Sequence, residues 1–391
     1  MKCFVTGAAV LIAGASAIAP ADTTTESHEL VKLRDVVVYE DPRFHCAFPS
    51  VIQKPDGELI CAFRRAPSRR FLWGAPHDSH TDSNSYLVGV RSRDGGETWT
   101  SEPQLIYAHA FGGSQDPCLQ PLANGDILCA SYGWAYIPKL PPSMEGTTFM
   151  TSSFGFLGGY LVRSKDGGDT WTGPEYPPTL PDSATSSAIG GPLPAYNRGA
   201  LLQRADGSLL WAVARSDASK SESTSVHMIR SVDNGKSWNY VSPVVRDAAV
   251  PYNETSLIET SAGDIVALVR SERKGGHGAM VRSRDGGQSW LPAEELSFAG
   301  HPFHATRLKD EKVFVVYGYR GESPGVRARL VAPDMSDINT AYEHVLRSDG
   351  GNPDLGYPWS LELNDGRILV VSYMNVANGP RHIVATLLKR E

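Results

Sequence analysis

The segment YNETSLIETSAGDIVALVR, residues 252–270, predicts two apolar strands joined by a short turn. Its runs of Leu, Ile and Val flank a Gly-Asp turn, which is the pattern of a β-hairpin. Glu254 stands just before the first strand and Arg270 ends the second. Five more copies follow the same pattern: SVIQKPDGELICAFR (50–64), CLQPLANGDILCASYG (118–133), ALLQRADGSLLWAVAR (200–215), ATRLKDEKVFVVYGYR (305–320) and WSLELNDGRILVVSYMN (359–375). One hairpin present in six copies predicts a repeat protein.

The intervals between the hairpins predict the architecture. Most of these intervals are long enough for one further turn and a second pair of strands. Each repeat therefore corresponds to one four-stranded sheet, which is the unit of a β-propeller. We expect residues 35–40 (DVVVYE) and 382–390 (HIVATLLKR) to share a sheet and close the ring, because an open ring would expose two strand edges. The prediction is an all-β fold, a six-bladed β-propeller of four-stranded antiparallel blades closed by the N- and C-terminal strands. Residues 22–391 form its single domain.

A second repeat has the form S-x-D-x-G-x-[ST]-W. Its copies are SRDGGETW (92–99), SKDGGDTW (164–171), SVDNGKSW (231–238) and SRDGGQSW (283–290), and a weaker fifth copy lies at 332–339. Asp and Gly favour a tight turn, and Trp packs on the adjoining sheet. We therefore assign these motifs a structural role and no catalysis.

The chain has 391 residues and a net charge of -6, which gives no reason to expect binding to nucleic acid or to an acidic membrane. Residues 1–21 predict a secretory signal peptide: Lys2, an apolar run, then Ala-Pro-Ala. The apolar run is shorter than the roughly 20 residues of a membrane anchor. We therefore expect an extracellular, secreted protein. Four cysteines follow the signal peptide: Cys46, Cys61, Cys118 and Cys129. The sequence is compatible both with disulfide bonds between them and with four buried thiols.

Internal symmetry identifies positions that converge on the propeller axis. Just before the inner strands, the equivalent residues are Phe48-Pro49, Asp116-Pro117, Arg198-Gly199, Asn253-Glu254, Phe303-His304 and Tyr357-Pro358. At the end of the second strands they are Arg64, Gly133, Arg215, Arg270, Arg320 and Asn375. Inner strands line the axis, so both sets are expected near one mouth of it.

Four of the six residues that end the second strands are arginines. Such a cluster suits a carboxylate, sulfate or phosphate, which Arg binds in bidentate fashion. The alternative is that each Arg pairs with an acid of a neighbouring blade as a structural bridge. The candidate substrate-binding residues are Arg64, Arg198, Arg270, His304 and Arg320.

The same positions supply candidate catalytic groups, namely Asp116, Glu254 and Tyr357. Glycoside cleavage needs paired carboxylates, or a carboxylate beside another nucleophile. A Tyr nucleophile with a Glu base suits an anionic substrate, although Tyr357 could also be a buried core residue. Asp82, on a loop before an outer strand, is a candidate mobile acid, with a polar surface loop as the alternative. The pairs His301/His304 and His77/His80 have no third ligand at a telling spacing, so we expect no metal and no cofactor.

At these residues the chain resembles the sialidase (neuraminidase) superfamily of Asp-box, or BNR-repeat, propellers. The resemblance implies retaining exo-hydrolysis of terminal sialic acids by a Tyr/Glu nucleophile, an Asp acid/base and three carboxylate-binding arginines. NETSLIE…VALVR is similar to the segment that carries the Glu and the second Arg, which implies Glu254 and Arg270. DLGYPWSLELNDGRI is similar to the Tyr segment, which implies Tyr357. YGYR resembles a third-Arg position, which implies Arg320, with Arg327 as a rival.

Blade one departs from the pattern of this family. Asp82 lies about where the family has its acid/base, but CAFPS (46–50) has Ala47 where the first Arg is expected. Arg64 or Arg65 could substitute from the neighbouring strand. The departure leaves room for another acidic sugar, for a neutral glycan such as the arabinans that related propellers cleave, or for loss of catalysis.

The sequence therefore predicts a secreted, monomeric, sialidase-like exo-glycosidase. It would hydrolyse terminal acidic sugars from a glycan or oligosaccharide with Tyr357 as nucleophile, Glu254 as its base, and Asp82 or Asp116 as the acid. Two alternatives stay open. One is a uronic-acid polysaccharide lyase that uses His304 and a Tyr, and the other is a non-catalytic glycan-binding propeller.

Overall fold

The computed structural model describes residues 29–74, 80–218, 224–272 and 275–391, which form six antiparallel sheets. The predicted signal peptide, residues 1–21, lies outside the described residues. Each sheet is one blade, and the blades surround a common axis. The predicted all-β, six-bladed propeller is confirmed.

The strands follow in chain order. The first strand, β1 (Leu30–Tyr39), belongs to the last blade. Blade 1 contains β2 (Phe44–Gln53), β3 (Leu59–Pro67), β4 (Tyr86–Ser92) and β5 (Gln104–Tyr107). Blade 2 contains β6 (Gly113–Ser114), β7 (Cys118–Pro121), β8 (Ile127–Tyr136), β9 (Met150–Thr151), β10 (Phe154–Ser164) and β11 (Thr172–Glu175). Blade 3 contains β12 (Leu202–Gln203), β13 (Leu209–Ser216), β14 (Thr224–Ser231) and β15 (Asn239–Val245).

The second half of the ring is more regular. Blade 4 contains β16 (Tyr252–Glu259), β17 (Ile265–Ser271), β18 (His277–Ser283) and β19 (Glu294–Ala299). Blade 5 contains β20 (Phe303–Arg307), β21 (Val313–Tyr319), β22 (Gly325–Val331) and β23 (Glu343–Arg347). Blade 6 contains β24 (Gly356–Glu362), β25 (Ile368–Met374) and β26 (His382–Arg390). A short helix, α1 (Arg69–Trp73), follows β3, and a 3-10 helix spans Pro142–Met144.

The ring closes as expected from the two terminal segments. Strand β1 pairs antiparallel with β26, from Leu30 opposite Arg390 to Tyr39 opposite Ile383. The N-terminal strand is thus the outer strand of blade 6, beside the last strand of the chain. This pairing covers an edge of blade 6 and joins the two ends of the ring.

The second strand of each hairpin has apolar residues on both of its faces. In β17, for example, residues 265–269 are all buried. This strand lies inside a blade that has a neighbouring blade against each face, so the usual alternation of polar and apolar residues is lost. The preceding turn uses Gly263 at φ +86°, whose N–H donates to the carbonyl of Thr260 at 2.9 Å.

The four S-x-D-x-G motifs connect the third and fourth strands of blades 1 to 4. In the first, Ser92 Oγ donates to Asp94 Oδ1 at 2.9 Å, and the Thr98 N–H donates to the same oxygen at 2.9 Å. Antiparallel strands alternate in direction, so these turns lie at the end of the blades opposite to the start of the inner strands. This position agrees with a structural role for the motifs.

All four cysteines of the described residues are buried thiols, and no disulfide joins them. They lie on the two inner strands of blades 1 and 2, where their burial contributes to the core. Within the described ranges, no helix is long and apolar enough to cross a membrane.

Candidate active site

Irregular backbone occurs where the chain enters the inner strand of several blades. The ladder shifts register at residues 47–50 in blade 1, at 252–255 in blade 4 and at 356–359 in blade 6. In blade 2, residues 115–117 interrupt the inner strand between β6 and β7. Blade 5 differs, since its ladder is regular from Phe303 onward. A bulge changes the direction of a side chain, so these blades can aim residues at the axis that a regular strand would place on a face.

Tyr357 and Phe48 lie at equivalent bulges, and both have left-handed backbone angles, φ +48° and +59°. Such a conformation costs about 1–3 kcal/mol for a residue with a side chain. Arg198 helps to hold it, because its Nη2 donates to the carbonyls of Tyr357 at 2.9 Å and Pro49 at 3.2 Å. This guanidinium therefore links blade 3 to blades 1 and 6 at the axis.

Tyr357, Glu254 and Arg270 form a triangle of hydrogen bonds. The Tyr357 hydroxyl donates to Glu254 Oε1 at 2.7 Å. Arg270 Nη1 lies 2.6 Å from Glu254 Oε2 and 3.1 Å from the Tyr357 hydroxyl. Tyr357 is 3% exposed and Glu254 is 8% exposed, so the cluster is shielded from water. The internal symmetry of the sequence had placed these three residues together, and the structure brings them into contact.

The environment gives the two partners different protonation states. Burial acts to raise the pKa of Glu254, but the charge and hydrogen bonds of Arg270 outweigh it, and the pKa is lowered. Burial raises the pKa of Tyr357 far above its ordinary value, and the Glu254 carboxylate raises it further. At neutral pH, Tyr357 therefore keeps its proton and donates it to an ionised carboxylate. This is the arrangement of a nucleophile beside its general base.

Three guanidinium groups surround Tyr357. The guanidinium carbons of Arg198 and Arg320 lie 4.8 Å and 5.5 Å from the centre of the Tyr357 ring, and Arg270 contacts its hydroxyl. Within the described part of the chain, several buried nitrogens of these arginines have no hydrogen-bond partner: Arg198 Nη1, Arg270 Nε, and Arg320 Nε and Nη2. Buried donors without partners are costly. This end of the axis therefore concentrates the positive charge of three arginines around Tyr357.

A cavity of about 530 Å³ lies beside this cluster, although Tyr357 and Arg320 are not among its lining residues. One part of its wall is charged and contains Arg198, Glu254 and Arg270. Another part is aromatic and contains Tyr132, Trp134, Phe149 and Tyr196, while His80, Thr81 and Gln115 are further lining residues. The volume falls in the range of small-molecule sites, which combine apolar walls with a few polar groups.

Asp116 is buried and is not among the residues that line the cavity. Its Oδ2 accepts a hydrogen bond from the Tyr132 hydroxyl at 2.6 Å, and Tyr132 lines the cavity. Burial raises the pKa of Asp116; Arg198 opposes this shift and Glu254 adds to it. Asp116 therefore holds a proton more readily than an ordinary Asp, but it connects to the cavity through Tyr132.

The structure places Asp82 and Arg64 differently from the expectations for blade one. Asp82 is 2% exposed, and its carboxylate accepts hydrogen bonds from Arg69 Nε at 2.9 Å and the Asn84 N–H at 2.7 Å. It is a fixed group, not a mobile acid, because Arg69 of α1 binds it. Arg64 is fully buried, and its Nη1 donates to the carbonyl of His80. Neither residue is among those that line the cavity.

His304 does not line the cavity either; it packs between blades 5 and 6. Its ring stacks on Trp359 at 4.2 Å, and its Nδ1 is 3.2 Å from Ser360 Oγ. Burial, together with Arg198, lowers the pKa of His304 to about 3. The regular start of β20 explains the difference, because no bulge directs this side chain to the axis.

Two of the other arginines act as structural bridges. Arg215 pairs with Asp217 at 2.6 Å, and Arg327 donates to the carbonyl of Arg347 and lies 4.6 Å over the Tyr319 ring. Of the two rivals for the third arginine, it is therefore Arg320 that lies beside Tyr357.

Sequence reasoning missed a group of residues around Asp354. This carboxylate is hydrogen-bonded to His80 Nδ1 at 2.9 Å, His45 Nε2 at 3.2 Å, the Tyr373 hydroxyl at 2.9 Å and Arg381 Nε at 2.9 Å. The only sequence signal was its place at the start of DLGYPW, three residues before Tyr357. Its partners come from distant parts of the chain, so their spacing carries no pattern.

The fold and this cluster define a class: a six-bladed propeller with a Tyr–Glu–Arg triangle and two further arginines at one mouth of its axis. The chain belongs to the BNR repeat-like domain family, whose family model matches residues 139–370. None of the curated proteins matches this chain.

Solved structures show the same propeller. A protein of unknown function from Dyadobacter fermentans DSM 18053 is 47% identical, with a TM-score of 0.88 over 93% of this chain and 100% of that one. The Hadza microbial sialidase Hz136 is 18% identical, with a TM-score of 0.60 over 88% and 65% of the two chains. The Penicillium chrysogenum alpha-L-arabinanase is 15% identical, with a TM-score of 0.59 over 91% and 98%. The two enzymes share the fold with this chain, and their low identity supports nothing finer.

Proposed function

We propose that this protein is a retaining glycoside hydrolase that removes a terminal acidic sugar from a glycan. One observation carries the proposal. The Tyr357 hydroxyl donates to Glu254 at 2.7 Å inside a buried cluster that Arg270 bridges. A phenol and a carboxylate held in this way form an activated nucleophile. The fold shared with a sialidase and an arabinanase supports glycosidic bonds as the target.

In the proposed reaction, the Tyr357 oxygen attacks the anomeric carbon while its proton passes to Glu254. A covalent glycosyl-enzyme forms and water then hydrolyses it, so the configuration at the anomeric carbon is retained. A neutral phenol suits an anionic sugar better than a carboxylate nucleophile does, because it does not repel the substrate during approach.

The arginines around Tyr357 support an acidic sugar. A carboxylate on the substrate would accept hydrogen bonds from the guanidinium groups of Arg198 and Arg270, which line the cavity. Arginine binds planar carboxylates in bidentate fashion, and such charge-assisted bonds are strong in a buried site. Arg198 comes from blade 3, so it provides a third guanidinium although blade 1 has Ala47 at the expected position.

The lyase alternative assigned proton abstraction to His304. That side chain stacks on Trp359 between two blades, and its Nδ1 lies 3.2 Å from Ser360 Oγ. The placement gives the lyase mechanism no support. A non-catalytic propeller would bind its glycan without turnover. An assay of glycoside cleavage therefore separates it from a hydrolase.

The test is a screen of aryl glycosides of sialic, uronic and neutral sugars with wild-type protein, followed by Tyr357→Phe on each substrate that is cleaved. We expect cleavage of an acidic glycoside and at least about a 10³-fold loss of kcat in the variant, as for enzymes that lose a nucleophile. Tyr240→Phe is the matched control, since Tyr240 lies on an outer strand and bonds to His227. Full activity of Tyr357→Phe would remove the nucleophile assignment, and an ultraviolet-absorbing product would identify a lyase.

We place the enzyme outside the cell on the basis of the signal pattern in residues 1–21. The N-terminal sequence of the mature protein tests this directly. A secreted product that begins at residue 22 supports export, and an intracellular product that retains residue 1 contradicts it.

A further inference from the structure

His80 lies at the cavity beside the proposed nucleophile, and no role has yet been assigned to it. Its side chain is 45% exposed and forms part of the cavity lining. Its ring centre is 6.3 Å from that of Tyr357 and 4.9 Å from that of Phe48, which it meets edge to face. His80 and Tyr357 are therefore neighbours at this end of the axis, and His80 borders the cavity.

Hydrogen bonds to the ring and to the backbone carbonyl fix the orientation of His80. Its Nδ1 is bonded to Asp354 Oδ1 at 2.9 Å. Its backbone carbonyl accepts hydrogen bonds from Arg64 Nη1 and from Gln115 Nε2, the second at 3.1 Å. Because Nδ1 is bonded to Asp354, Nε2 is the nitrogen that can exchange a proton with a ligand. A His whose second nitrogen is held by a carboxylate is the usual form of a general acid or base.

Asp354 is itself fixed, which makes it a suitable anchor. It also contacts His45, Tyr373 and Arg381, all within 3.2 Å. Burial acts to raise the pKa of Asp354, but the hydrogen bonds from His45 and His80 hold it well below its usual range. The carboxylate is therefore ionised and can stabilise an imidazolium at His80.

The acidic alternatives are less well placed to protonate a leaving group. Asp82 is buried and bound by Arg69. Asp116 is buried and reaches the cavity through Tyr132. Glu254 is already the base for Tyr357. His80 is the group in the described cavity lining that combines a transferable proton with an anchoring carboxylate.

We propose that His80, oriented by Asp354, is the acid/base of the glycosidase reaction. The inference rests on the hydrolase function proposed above. In the first step, the bond between Tyr357 oxygen and the anomeric carbon forms and the glycosidic C–O bond breaks. The Tyr357 proton passes to Glu254, and the Nε2 proton of His80 passes to the leaving oxygen.

The second step restores both groups. Neutral His80 takes a proton from water, and the water oxygen bonds to the anomeric carbon. The bond from that carbon to the Tyr357 oxygen breaks, and Glu254 returns its proton to Tyr357. Each proton and bond of the cycle is accounted for, with one water consumed per turnover.

The experiment compares His80→Gln with wild type on two substrates of the same cleaved sugar, one with a dinitrophenyl and one with an alkyl leaving group. We expect a loss of about 10²–10⁴-fold in kcat/KM on the alkyl glycoside, because its leaving oxygen needs a proton. On the dinitrophenyl glycoside we expect a loss below about tenfold, because that group leaves as an anion.

Asp82→Asn is the matched control, and it should lose activity on both substrates by the same factor. A leaving-group-dependent loss in Asp82→Asn but not in His80→Gln would overturn the assignment. So would an equal loss on both substrates in His80→Gln, which a purely structural role predicts. His80→Asn provides a second variant in case the first does not fold. Wild-type protein that cleaves no glycoside would refute the hydrolase function itself.

Discussion

Replacing Glu254 by Gln removes one negative charge from the centre of the propeller and keeps the side-chain shape. In the native protein this carboxylate accepts from Arg270 at 2.6 Å and from Tyr357 at 2.7 Å, and the residue is 8% exposed. The variant leaves Arg270 with a neutral partner in a buried site. The loss of stability can therefore be calculated as the breaking of a buried ion pair.

Removing one partner of a buried pair costs about 3–5 kcal/mol. A chain of this length has an unfolding entropy of roughly 0.8 kcal/mol/K, so Tm should fall by roughly 4–6 °C. Glu272→Gln is the matched control. The native Glu272 also pairs with Arg270, at 3.0 Å, but the side chain of Glu272 is 37% exposed. An exposed pair contributes about 0–1 kcal/mol, so the control should shift Tm by about 1 °C or less.

The difference in Tm between wild type and Glu254→Gln should also depend on pH in a defined direction. The pKa of Glu254 is lowered in the folded protein from an ordinary value of 4.5. Its stabilisation is therefore complete above pH 4.5 and is lost as pH falls through the lowered folded pKa. Thermal unfolding followed by circular dichroism should show the full difference between wild type and Glu254→Gln at pH 7, and a smaller one in acid. Equal shifts for the two Gln variants, or a difference independent of pH, would refute the reasoning.

Three further substitutions have distinct expected outcomes. Arg320→Met should raise KM for an acidic substrate about 10–100-fold, as expected for one lost charge-assisted contact, with an unchanged Tm by calorimetry. Gly199→Ala should destabilise the protein by more than about 2 kcal/mol in urea unfolding, because its Cβ would lie 1.6 Å from the Thr255 carbonyl at φ +154°. His304→Phe should keep its stacking on Trp359 and retain kcat within about threefold in the aryl glycoside assay. Complete loss of activity in His304→Phe would revive the lyase mechanism.

Much of the fold could be predicted because each blade contains its own local signals. The Gly-containing turns, the apolar second strands and the S-x-D-x-G turns all act within one repeat, so their residues are close in sequence. Their recurrence predicted six blades, and the terminal segments predicted the closing sheet of β1 and β26. Internal symmetry also selected Tyr357, Glu254 and Arg270, because equivalent positions of a closed ring must meet at its axis.

The remaining site residues depend on contacts between blades, which have no constant spacing in the sequence. Asp82 is held by Arg69, and Asp354 is bonded to His80 and Arg381. The sequence placed His304 near the axis, whereas its ring stacks on Trp359, and the reason is related. A change of one residue in register turns a side chain from one face of a strand to the other, and the bulges that create such changes have no clear sequence signal.

The sequence alone therefore predicted the number of blades, the closure of the ring and the convergence of Tyr357, Glu254 and Arg270 on the axis. Only the tertiary structure decided which other side chains face the cavity. It placed Arg198 in the cavity wall, held Asp82 on Arg69, and oriented His80 with Asp354. The physical reason is that blade folding depends on local turns and apolar strands, whereas the chemistry at the axis depends on bulges and on packing between distant segments.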